Sequence, residues 1–105
     1  MMDGSYGLIE VSGVVAATDA VDIMCKTADV RFVTWERKLG GRLVTVIVQG
    51  NVSAVTEAVA AARAGAIKKP VSWGVLANPH NEVVRLIEKS ASRLVHLHND
   101  SNPIY

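Results

Sequence analysis

Few side chains in this sequence are placed to do chemistry. His96 and His98 stand two apart, with Asp100 close behind. In an extended segment the two imidazoles would share one side, and with the carboxylate they could hold a metal ion. A fourth ligand and the outer groups that orient metal-bound histidines are missing, so surface histidines are the favoured reading. His80 stands alone in the first turn of the third expected helix and reads as a surface residue. Asp19 and Asp22 are helical neighbours on a solvated or interfacial stripe. Cys25 falls within an apolar helical pattern, where a buried, inert thiol is expected rather than a nucleophile. The sequence has no phosphate loop, dinucleotide fingerprint or serine–histidine–acid set. These observations argue against an enzyme and imply neither a cofactor nor a metal.

The stretch Lys38-Leu39-Gly40-Gly41-Arg42 has a stronger claim. Adjacent glycines supply backbone freedom and no packing side chain, so this turn must project. It leads directly into Leu43 to Gly50, an uncharged β-branched run that reads as a buried strand. A projecting polar turn on an apolar platform is suited to presenting backbone amides. On local chemistry alone the turn could equally be a plain hairpin connection.

The elements that must position this turn follow from periodicity. Tyr6 to Val11 reads as a strand, with Ser12 as the cap of a first helix. Val14, Ala17, Val21 and Met24 give that helix an apolar stripe widened by Ala20 and Ile23, with Thr18, Asp19, Asp22 and Lys26 opposite. Asp29 to about Leu39 reads as a strand in which Val30, Phe32 and Thr34 alternate with Arg31, Val33 and Trp35. It pairs through the glycine turn with the next strand as a hairpin. A thin, alanine-rich helix spans Asn51 to about Ala64, burying Val52, Val55, Val59 and Ala62 and stopping at Gly65. Val71 to Ala77 is the fourth strand. Asn78-Pro79 signals a third helix that turns Val83, Leu86 and Ile87 inward. Periodicity fades from about Ser92, which reads as an extended or disordered tail.

The order βαββαβα predicts a compact α/β sandwich, with helices packed on a mainly antiparallel four-stranded sheet. Boundaries are placed at a short leader (1–5), one domain (6–94) and a tail (95–105). The 105 residues suit a single domain. Half of them are hydrophobic even without glycine, and so small a domain buries only about two thirds of its unfolded surface. The excess points to an oligomer, against the alternative of an alanine-rich monomer. Net charge is +1 with no basic block, which argues against nucleic acid. The single cysteine excludes an internal disulfide and fits a reducing compartment. No apolar run approaches the ~18 residues of a membrane span. The chain therefore reads as cytoplasmic, with no nucleic-acid or membrane partner.

Several segments, in order, resemble the hexamer-forming shell proteins of bacterial microcompartments. They are Tyr6 to Gly13, Ala20 to Lys26, Lys38 to Val52, Ala54 to Ala62 and Asn78-Pro79-His80. The resemblance covers about Tyr6 to Leu94, in the unpermuted element order, and its fold is the ferredoxin-like shell domain. It implies a structural role. Six copies would form a flat disc, discs would tile into sheets with neighbouring hexamers and other shell proteins around encapsulated enzymes, and small metabolites would cross a central pore. By the same match Leu39, Gly40, Gly41 and Arg42 would line the pore, with Lys38 beside them.

The family's frequent glycine-serine-glycine is altered here. Gly41 takes the serine's place and Arg42 the second glycine's. The resemblance then implies a slightly wider opening of backbone amides. Arg42 would favour anions or fold back onto an acid such as Glu36. Lys26 matches a disc-edge lysine, and Asn78, Pro79 and His80 belong to the same edge, where Asn78 replaces a frequent arginine. Trp35 and Trp73 are expected in core or subunit packing. The competing reading is a regulatory module that binds a small molecule and forms a dimer or trimer.

Overall fold

The computed structural model describes residues 4–37 and 41–100, the side chains at 94–100 excepted. Its elements are β1 (Ser5–Ser12), α1 (Val14–Thr27), β2 (Arg31–Arg37), β3 (Leu43–Gly50), α2 (Val52–Gly65), β4 (Ser72–Leu76) and α3 (Asn81–Asp100). The strands form one sheet in the order β2-β3-β1-β4, and each neighbouring pair is antiparallel. The expected βαββαβα sandwich is therefore observed.

Side chains alternate across a strand, so the sheet has two different faces. On one, Ile9 and Val11 of β1 and Val44, Val46 and Val48 of β3 pack with Ala17, Ala20 and Met24 of α1 and Ala58, Val59 and Ala62 of α2. Burying each of the valines and isoleucines contributes about 1.5–3 kcal/mol. The alanines let α2 lie close. A Cβ built on Gly7 of β1 would stand 3.0 Å from a Val59 methyl and 3.3 Å from Val48 and Val55. On the other face α3 sets Ile87, with Val83 and Val84, on Tyr6, Leu8, Val33 and Ile47.

Local departures from the expected pattern have physical causes. Ser12 is the last residue of β1, not the cap of α1. The cap position is Gly13 at φ 100°, with no side-chain cap bond. Asn51 caps α2, its Oδ1 accepting the Ala54 N–H at 2.8 Å. Val14 and Val52 were expected inside but are exposed, because each opens its helix at the sheet's margin; Ala16 and Ala54 are buried instead. Asn78-Pro79 does not start α3. Asn78 adopts φ 49°, its N–H donating to Ser5 Oγ at 3.3 Å. His80 supplies the cap, with Nδ1 accepting from the Glu82 N–H at 3.0 Å.

In β2 the pairing skips at Val33, with Phe32 opposite Val48 and Thr34 opposite Ile47. This bulge breaks the expected alternation. Phe32 and Trp35 consequently both join the α1/α2 core, and their rings meet edge to face at 5.9 Å. Thr34 is buried on the α3 side. Leu86, expected inward on α3, is 69% exposed. The expected tail is helical through Asp100. Residues two apart on a helix do not face one another, so the premise for a shared His96–His98 side is removed.

Candidate functional site

The β2–β3 hairpin places its turn at one end of the sheet, beyond the pair Arg37–Val44. Of the turn residues, Gly41 and Arg42 are described, and both are exposed. Lys38, Leu39 and Gly40 lie outside the described residues. The Arg42 carbonyl accepts the Gly13 N–H at 2.7 Å, tying the start of β3 to the start of α1. Glu36 is not a partner for Arg42. Its carboxylate accepts the Ser90 hydroxyl and pairs with Arg93 of α3 at 3.1 Å.

The other expected residues gather at the opposite end of the sheet. β1 and β2 run toward the hairpin, whereas β3, β4 and the connecting α1 end away from it. That far end holds the β1–β4 pair Tyr6–Leu76 and the β2–β3 pair Arg31–Gln49. Lys26, in the last turn of α1, is exposed and pairs with Asp22 at 3.0 Å. Asn78, Pro79 and His80 follow β4 at the same end, anchored through Ser5. The fold thus separates the glycine turn from Lys26 and Asn78–His80 by the length of the sheet.

Other candidates divide. Asp19 is not merely solvated; its carboxylate accepts the Ile67 N–H at 2.9 Å and fastens the α2–β4 connection to α1. Cys25 is exposed rather than buried. Partial desolvation still raises its pKa, opposed by the Phe32 backbone N–H and reinforced by Asp22, so the thiol is not activated. Trp73 is half-exposed, and the Arg63 guanidinium of α2 stacks 3.8 Å from its ring centre. Sequence spacing gave no sign of that pair, nor of the cluster joining Thr34, Ser90, Glu36 and Arg93. Among the described residues, no group of three His, Cys, Asp or Glu is placed to hold a metal. None of the helices described there is long and apolar enough to cross a membrane.

The BMC domain model matches residues 5–79. The chain belongs to the BMC domain family of bacterial microcompartment shell proteins. It is 38% identical over 95 residues to the bacterial microcompartment shell protein PduA of Salmonella typhimurium, covering 89% of this chain and all of that one. It is 43% identical over 83 residues to the carboxysome shell protein CsoS1A of Hydrogenovibrio crunogenus, covering 75% of this chain and 84% of that protein. A crystal structure of a microcompartment protein from Desulfitobacterium hafniense superposes with a TM-score of 0.70 at 28% identity. It covers 86% of this chain, which spans 49% of that one. The BMC match takes in the whole sheet and both helices of the main core, and it ends before α3.

Proposed function

We propose that this BMC domain protein is a structural tile that acts as a cyclic homohexamer. The turn Leu39–Arg42, with Lys38, surrounds a central pore in this arrangement, and Lys26 with Asn78, Pro79 and His80 meets neighbouring hexamers. The observation that carries the reading is the placement of Arg42 and Lys26 at opposite ends of one sheet within a family of shell proteins. A subunit with one end of its sheet at an axis has the other end at the rim, which suits a closed ring. Arg42 is exposed and is not held by Glu36, which suits a positive lining at the pore. The shell lies in the cytoplasm, and its further partners are other shell proteins, enclosed enzymes and the small metabolites that cross.

Electron microscopy and light scattering of the purified protein test this reading. Hexamers that pack into sheets are expected, and a sample that stays monomeric, dimeric or trimeric overturns it. Lys26→Asp should leave the hexamer intact and abolish sheets. Its pair with Asp22 is exposed, so its loss changes monomer stability by less than about 1 kcal/mol. Sheets that form as readily in the variant would remove Lys26 from the rim. Arg42→Ala should lower the ratio of anion to neutral-solute permeation; an unchanged ratio would remove Arg42 from the pore.

A further inference from the structure

We propose that α3 is a latched element that opens separately from the rest of the domain, held closed by a polar chain of Thr34, Ser90, Glu36 and Arg93. The inference does not depend on the hexamer.

Among the described residues, the main apolar cluster joins the sheet to α1 and α2 and includes no α3 residue. The first part of α3 lies in a smaller cluster on the opposite face. Ile87 is buried there, Val83 and Val84 are half-buried, and Leu86 faces outward. The α3 backbone lies nearest β2, while its side chains reach β1 and β3. About one helical turn beyond Ile87, Ser90 adds hydrogen bonds to the apolar contacts. The Ser90 hydroxyl donates to Glu36 Oε2, so the 3.0 Å bond between Thr34 and Ser90 is donated by Thr34. Arg93 Nη2 donates to the same Glu36 oxygen at 3.1 Å. The result is a directed chain: Thr34 to Ser90 to a carboxylate that Arg93 neutralises.

The two hydroxyls are buried, while the Glu36 and Arg93 side chains are half-exposed. Such a chain fixes register, because Ser90 must stand opposite Glu36 or buried hydroxyls go unpaired. It resists opening less than apolar contact does, because water replaces each of its bonds when the helix lifts. The latch also straddles the limit of the family match. Thr34 and Glu36 lie within residues 5–79, whereas His80, which caps α3, and all of α3 lie beyond. Lifting α3 uncovers Tyr6, Leu8, Val33 and Ile47 and releases Glu36, one residue from the end of β2.

Native-state hydrogen exchange on the full chain tests the proposal. The amides of residues 84–93 should exchange through an opening that leaves those of β1, β3 and α2 protected. Glu36→Gln and Arg93→Ala should each speed exchange across 84–93 by about tenfold, with the core amides unchanged. Arg85→Ala should do neither, because it removes only the solvent-side pair with Glu82 on the same helix. Protection of the core amides also reports that each variant is folded. The proposal is overturned if α3 and core amides exchange through one common opening. It is overturned equally if neither latch variant changes α3, or if both variants lose protection across the whole domain.

Discussion

The Gly13 N–H donates to the Arg42 carbonyl at 2.7 Å, so the residue that opens α1 also holds the residue that closes the glycine turn. Gly13 does this at φ 100° and ψ 149°, a backbone conformation essentially confined to glycine. A Cβ there would meet nothing within 4 Å. The cost of Gly13→Ala is therefore backbone strain alone, about 1–3 kcal/mol. Chemical denaturation should show that loss, and hydrogen exchange should show faster exchange at the start of β3. An unchanged midpoint would mean that the strand and helix ends adjust freely.

Gly7 answers to packing instead. Gly7→Ala drives a methyl between β1 and α2 against Val59, Val48 and Val55, and overpacking of this kind costs about 1–3 kcal/mol. Val59→Ala opens space at the nearest contact. The double variant should then be more stable than the sum of the two single losses predicts, as a double-mutant cycle will read. Strict additivity would show that α2 shifts rather than collides.

The two helix starts separate an observed cap from an expected one. Asn51→Ala removes an observed acceptor for the Ala54 N–H and should lower stability by about 1 kcal/mol. Ser12→Ala removes no cap and should fall within about 0.5 kcal/mol of the parent, as substitutions away from such features do. Equal losses at both sites in urea titrations would contradict the assigned start of α1.

Tyr6 gives the fold a dependence on alkaline pH. Desolvation, then Glu88, raises its phenol above the ordinary value of 10.0, with Arg31 opposing. The folded state therefore holds this proton more tightly than the unfolded chain does. Its contribution is full below the unfolded value and is lost as pH rises through the folded one. Tyr6→Phe should flatten the fall in urea midpoint above about pH 10, while giving up the bond from Gln49 Nε2 at neutral pH. A parallel fall in parent and variant would assign the alkaline loss to other groups.

The order of elements was legible in the sequence because each carries a local signal. β3 is uncharged and β-branched, α2 is alanine-rich with Asn51 in front, and the glycine turn must project between two strands. Relations that depend on elements meeting in space were not legible. The bulge at Val33 sends Phe32 and Trp35 to one face and Thr34 to the other, reversing a regular alternation that the residues themselves suggest. Asn78-Pro79 has the chemistry of a helix start, yet Ser5 holds the Asn78 backbone in a left-handed turn and the start moves to His80. Leu86 lies beyond the strip of α3 that the sheet can cover.

By itself the sequence determined a sandwich of antiparallel strands and helices, and it marked the segments that carry the family resemblance. Periodicity and turn chemistry act between near neighbours along the chain, so they are written in it directly. The tertiary structure alone decided that Arg42 is tied to Gly13, that Lys26 and His80 lie at the end of the sheet away from the turn, and that Ser90 closes onto Glu36. Strand register and helix docking set those contacts, and both minimise buried polar loss across residues far apart in sequence.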